Sequence, residues 1–296
     1  MVCLKFSNII FPILIFVSLI SSSCSIASSV TEIIYPPRES ADDKRDDDIV
    51  ELLEKILIIT EPEFGKYEMR SSIPMNEARY TELLSNNKIL SIIWTSVTKE
   101  LEYKLLPIRI PIRKGVLGYR IFLIRKNDQQ LFENIKSLDE LKKMKVGQGH
   151  FWNDVKVFEE NGFKVVTGSN YEGLFGMLSE DRFDYFSRGF NEAPIEYDAR
   201  KDKYPNLFIE RKLLLYYPWP KFFYVAPTNI KLAARIEAGF RALIDNGTHE
   251  IWFQKYNQAA IEKANLRTRR LFKLKNPLLP ASVPLDQDNL WFDPLQ

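Results

Sequence analysis

The chain has 296 residues, of which 45% are hydrophobic and 27% charged, and a formal net charge of +2. This is an ordinary globular composition, long enough for two lobes or one large domain. Near-zero charge leaves no electrostatic footprint for nucleic acid, and beyond the N-terminal segment no apolar run is long enough to cross a bilayer.

The chain opens on Lys5, an apolar run from Ile9 to Ile20, and the small-residue end Ser25-Ile26-Ala27. A charged start, a short apolar middle and a small-x-small end describe a secretory signal peptide over residues 1–27. Its removal takes the net charge to +1, because Lys5 is the only charged residue lost. Cys24 keeps open an alternative, lipid anchoring, although Ser21-Ser22-Ser23 lacks the leucine such a site carries three places upstream. Both cysteines, Cys3 and Cys24, lie in this segment, so the mature chain has neither disulfide nor cysteine nucleophile. Export places it in the periplasm or outside the cell.

Thr31 to Tyr35 reads as a strand, and Arg38 to Asp48 as a charge-rich loop. Ile49, Leu52, Leu53, Ile56 and Ile59 then recur at helical spacing. A strand at Lys66–Ser71, a helix at Asn76–Ser85 and a strand at Ile89–Trp94 complete a βαβαβ order, which implies a largely parallel sheet. Ligands in such sheets sit beyond the strands' carboxyl ends, where Trp94-Thr95-Ser96 falls.

A second α/β unit follows the strand Gly118–Arg125. Ser137-Leu138-Asp139-Glu140 is a capping box, and Lys145–Gly147 a short strand with a helix starting near Asn153. Phe163–Thr167 is a strand, Ser169-Asn170-Tyr171-Glu172 a second capping box, and Arg182–Phe186 a further strand. Phe222–Ala226 leads into a helix capped by Thr228 or Asn229 and ended by Asn246-Gly247. The tail from Asn276-Pro277 onward is proline-punctuated and is expected to run along the surface.

Two segments concentrate ligand-binding groups. Gly149-His150-Phe151-Trp152-Asn153-Asp154 combines aromatic rings with a helix start, whose free N–H groups favour anions. The other is Arg182 to Gly189, where Tyr185 alternates with its neighbours and Arg188 offers a planar fork to a carboxylate or phosphate. Plainer readings stand beside each: core aromatics, Asp154 as a helix cap, and salt bridges for Arg109 and Arg120. Glu192 and Glu196, four apart, read as solvated charges rather than a catalytic pair. Two histidines far apart, His150 and His249, make zinc improbable, and Gly147-x-Gly149 lacks the rest of a nucleotide fingerprint.

Gly118–Ile124, Ser137–Leu141, the Gly147–Gly149 turn, Leu178–Tyr185 and Phe222–Ala226 with its helix together resemble bacterial extracellular solute-binding proteins of the amino-acid type. The resemblance implies a two-lobed periplasmic-binding-protein-like α/β fold of the second topology. Each lobe would be a largely parallel sheet flanked by helices, with two hinge crossings. Lobe one would comprise 28–122 and 218–296, and lobe two 123–217. It further implies capture of a small polar solute by hinge closure, for an ABC-type membrane permease or a sensor protein, with no cofactor and no catalysis. Two family features are missing: Leu101 stands where an arginine grips the ligand's carboxylate, and Gly189 where an aspartate holds its ammonium. With Arg188 present, the expectation is an anionic solute held by Trp94, Thr95, Ser96, His150, Phe151, Trp152, Tyr185 and Arg188. The alternatives are a dehydratase-like enzyme using Glu100 or Asp154, and an interaction module that has lost its solute.

Overall fold

The computed structural model describes Val2 and residues 30–38, 46–73, 75 and 77–294. The rest of the expected signal segment, with Cys24, lies outside them. The first stretch runs β1 (Thr31–Tyr35), α1 (Asp47–Ile59), α2 (Glu61–Phe64), β2 (Tyr67–Ser71), α3 (Glu77–Ser85), β3 (Ile92–Ser96), α4 (Lys99–Lys104) and β4 (Leu106–Ile108). Helix α1 forms where Ile49, Leu52, Leu53, Ile56 and Leu57 line one fully buried stripe. Thr98 starts α4 by accepting the Leu101 N–H.

The chain passes through Val116–Gly118 into β5 (Tyr119–Arg125), α5 (Gln129–Asn134), α6 (Leu138–Lys142), β6 (Lys145–Gly149) and α7 (Asp154–Glu160). Then come β7 (Lys164–Gly168), α8 (Tyr171–Ser179), β8 (Tyr185–Gly189), α9 (Ala193–Asp198), β9 (Leu207–Ile209) and β10 (Leu213–Tyr216). It returns through Tyr217 to β11 (Lys221–Val225), α10 (Ile230–Asp245), α11 (Thr248–Ala264) and β12 (Arg270–Lys273). The capping box at Ser137 is present, but at the second site the cap is Asn170, accepting the Gly173 N–H, and no box closes. Asn229 caps α10, and Gly247, at φ 78°, follows its end.

One sheet has the order β12-β10-β5-β8-β6-β7, with β9 also on β5; β3-β11-β4 and β1-β2 make up the other lobe, where Ser91 N–H bonds Ile34 O. Among the described residues all antiparallel ladders involve β5 or β11, and the other pairs are parallel. These are the strands that directly follow a crossing. A chain entering a lobe from the hinge must run away from it. The lobe boundary expected at 122/123 would divide β5, yet the whole strand pairs within the second sheet. Residues after 218 were assigned to lobe one, but β12 returns to the second sheet beside β10.

The two crossings touch. Tyr217 donates its N–H to Gly118 O at 3.2 Å, and a Cβ at Gly118 would lie 2.2 Å from Tyr217 O. Beside them the Tyr119 and Tyr216 rings sit 4.4 Å apart. One apolar core continues past this point, from Ile56 and Phe240 through Ile112, Val116 and Tyr119 to Leu174 and Phe175. The opposite sheet faces carry separate cores around Phe122 and Tyr185, and around Ile93 and Phe222.

The tail does run along the surface, but it also ties the lobes together. Leu274 N–H bonds Tyr216 O, Asn276 reaches Pro218 O, and Lys99 N–H on the first lobe bonds Leu278 O. The tail then doubles back, with Phe292 N–H on Lys114 O and the Tyr119 hydroxyl on Phe292 O.

Two outcomes follow from this packing. Gly118→Ala forces its methyl against a backbone oxygen that cannot yield locally, so a loss of about 1–3 kcal/mol is expected in chemical denaturation. His249 is buried against Phe240 and Trp252 and donates Nε2–H to Ile112 O at 3.0 Å. Burial pushes its imidazole down to about 4, against a partial counter-effect from that bond. The unfolded chain therefore takes up a proton near 6.5 that the fold refuses. Stability should fall as pH drops from 6.5 towards 4, and His249→Gln should flatten that slope in denaturation curves taken across the window.

Candidate functional site

At the carboxyl end of β3, Trp94 donates its indole N–H to Asp46 Oδ2 at 2.9 Å. Asp46 precedes the first turn of α1, where the helix dipole favours negative charge. Its Oδ1 also receives Lys221 Nζ at 3.4 Å and Arg113 Nη2 at 3.2 Å. Arg113 forks onto Asp48 as well, Nε to Oδ2 at 2.7 Å and Nη2 to Oδ1 at 2.5 Å. Burial alone would raise Asp46, but Lys221, Arg113 and the indole hold it below the ordinary carboxylate range. Burial lowers Lys221 despite its contact with Asp46. Nearby, Ser96 Oγ accepts the Trp219 indole N–H at 3.0 Å.

A second constellation stands at the ends of β5 and β8. Arg188 forks onto Glu196, Nε to Oε2 at 2.9 Å and Nη2 to Oε1 at 2.7 Å, with Glu192 Oε2 at 3.2 Å. The Trp152 ring covers the guanidinium, centroid 4.7 Å away, and the Tyr171 hydroxyl donates to Glu196 at 2.7 Å. Arg120 bonds Asp154 Oδ1 at 2.7 Å, and the Tyr217 hydroxyl donates to the same oxygen at 2.5 Å. Burial would raise Glu192, yet Arg188, Arg120, the Gly189 N–H and Lys221 together lower it. Lys221 bonds Asp46, and on Glu192 its charge is the least of these influences.

Of the residues singled out from sequence, Trp94 and Ser96 join the first constellation, with buried Thr95 between them in β3. Trp152 and Arg188 form part of the second. His150 is exposed, its ring 3.3 Å from Thr167 Oγ1; Phe151, 87% exposed, packs edge-on against the His150 ring. Tyr185 is corrected to core. Strand pleating turns it away from Arg188's neighbours Phe186 and Trp152, and it is fully buried against Phe122 and Phe132. Arg188 is corrected as a free anion fork, because Glu196 already occupies it. Glu192 and Glu196, read as solvated, are instead its partners, because a guanidinium this buried needs an opposing charge. Asp154 does not cap its helix; Arg120 and Tyr217 hold it. Arg109 lies at the surface on Glu102 at 3.2 Å.

Sequence reading missed Asp46, Arg113, Tyr217, Trp219 and Lys221. The available signal was the acidic run Asp46-Asp47-Asp48 at the start of α1, which was absorbed into a polar loop. Among the described residues no group of His, Cys, Asp and Glu is arranged to hold a metal ion.

No protein-family model matches the chain, and no curated protein matches it. Solved structures do. A Salmonella typhimurium periplasmic binding protein with high arginine specificity is 12% identical at a TM-score of 0.51, covering 76% of this chain and 99% of its own. A Streptococcus mutans structure described with glutathione import by GshT and the cystine ABC importer TcyBC is 16% identical at 0.51, covering 77% and 95%. A histidine kinase sensor domain similar to periplasmic binding proteins is 15% identical at 0.50, covering 77% and 96%. The fold is that of the two-lobed, amino-acid-type solute-binding proteins.

Removing the partner of a buried charge leaves that charge uncompensated. Glu196→Ala should cost about 3–5 kcal/mol in urea denaturation, and adding Arg188→Ala should cost less than the two single losses combined.

Proposed function

We propose that the chain is an exported binding protein, not an enzyme, that takes up a small polar solute between its lobes. Its closed form would be presented to a membrane transporter or a sensor. The observation that carries this reading is the Asp46 constellation, in which Trp94, Arg113 and Lys221 converge on one carboxylate beside the chain crossings. A solute that exchanges with those contacts sits where the chain passes from one lobe to the other, the place from which binding drives hinge closure. The likeness to an arginine-binding protein, an import-associated protein and a sensor domain supports the same reading at the level of fold.

The preference for an anionic solute rested on Arg188, which Glu196 holds. Asp46 and Lys221, whose side chains are 38% and 24% exposed, are better anchors. Together they suit a solute bearing both charges, its ammonium on Asp46 and its carboxylate on Lys221, with Trp94 alongside. The reading as an interaction module without a solute draws on the internal pairing of Arg120 and Arg188, and a fruitless ligand screen with retained partner binding would favour it.

Calorimetry with amino acids, carboxylates, phosphorylated compounds and sugars should find a zwitterionic ligand, and X-ray scattering should show contraction on binding. Asp46→Asn and Lys221→Gln should each weaken it at least tenfold. Binding confined to neutral sugars and indifferent to both substitutions would refute the proposal. N-terminal sequencing of exported protein should begin at Ser28.

A further inference from the structure

A cavity of about 430 Å³ opens between α9, β9 and the C-terminal end of α11, and Asp46, Trp94 and Lys221 take no part in its walls. Its volume is typical of small-molecule sites, which span about 300–1,000 Å³. Ile121, Tyr197, Phe208 and Ile209 give it an apolar wall.

Arg269 lines the same space with its side chain only 5% exposed. Its Nε donates to Ala264 O at 2.8 Å, and its Nη1 to Glu210 O at 2.7 Å and Leu213 O at 3.1 Å. Its Nη2 has no hydrogen-bond partner among the described residues. Glu210, fully buried, lies 3.4 Å from Nη1 as the opposing charge, with the backbone N–H groups of Lys212 and Leu213 on the same carboxylate at 2.6 and 2.7 Å, and neither of its oxygens is bonded to Nη2. At the rim, Lys263 pairs with Asp198 at 3.0 Å, while the Arg211 guanidinium rests on the Phe208 ring, 4.7 Å from its centroid. Three cations thus face two carboxylates, and the surplus charge is positive.

We propose that this cavity is a second ligand site, taking a small carboxylic acid with an aromatic or branched apolar body. The carboxylate receives Nη2 of Arg269, and the body lies on Ile121, Phe208 and Ile209. A charge-assisted bond at a buried guanidinium rewards an anion over its neutral isostere. The site is separate from the Asp46 constellation and does not rest on the function proposed for it.

Titration calorimetry of the full chain with phenylacetate and with phenylacetamide tests it. Phenylacetate should bind, and the amide at least tenfold more weakly. Arg269→Gln should reduce phenylacetate affinity at least tenfold. Arg269 also holds three carbonyls, so Thr268→Trp, which blocks the cavity from an exposed rim position, provides a variant that leaves those bonds intact and should act likewise. Asp46→Asn should change nothing. Equal binding of acid and amide, undiminished binding by Thr268→Trp, loss of binding with Asp46→Asn, or no phenylacetate binding at all would each overturn the proposal.

Discussion

Gly118 and Tyr217 bring the two chain crossings into backbone contact, and the two-lobed form is organised around that meeting. Only a residue without a side chain allows the approach. From this point β5 and β11 leave in opposite senses into their sheets, which is why each sheet contains one strand reversed against its neighbours. The apolar core does not stop at the crossings. Ile112, Val116 and Tyr119 carry it from one lobe to the other, so the hinge is packed on one side and polar on the other.

The polar side obeys a different rule. Arg113, Arg120, Arg188 and Lys221 are largely removed from water, and each lies beside a carboxylate. Taking a guanidinium out of water costs several kcal/mol unless an opposite charge is close, so these pairs are what makes the arrangement tolerable. Under the proposed function the same rule selects the solute, since cations already matched gain little from a simple anion and exchange partners with a solute that brings both signs.

Much of the fold was legible because local signals agreed. Strand β1, the stripe of α1, the Ser137 box and the Asn229 cap each rest on neighbours in sequence, and all were read close to their observed limits. Helix α11 was not read, because its buried face carries His249 and Asn257 among Trp252 and Phe253, which breaks the apolar period. The site was only half legible. Trp94 and Arg188 announce themselves at strand ends, but their partners Asp46 and Glu196 come from helices placed by tertiary packing. Pleating parity set Tyr185 opposite Phe186, but Tyr185 and Arg188 were still expected on one ligand, and only the fold reveals that the Tyr185 side is core. No spacing rule relates Arg269 to Phe208, which is why the second cavity left no trace in the sequence.

The segment after β12 has a mechanical consequence. It is fastened to the second lobe at Tyr216, to the crossing at Pro218, to the first lobe at Lys99, and again beside the hinge at Lys114. The strap therefore belongs to neither lobe alone: any change in their relative position must be taken up by the bonds at Tyr216 and Lys99 or by the backbone between them.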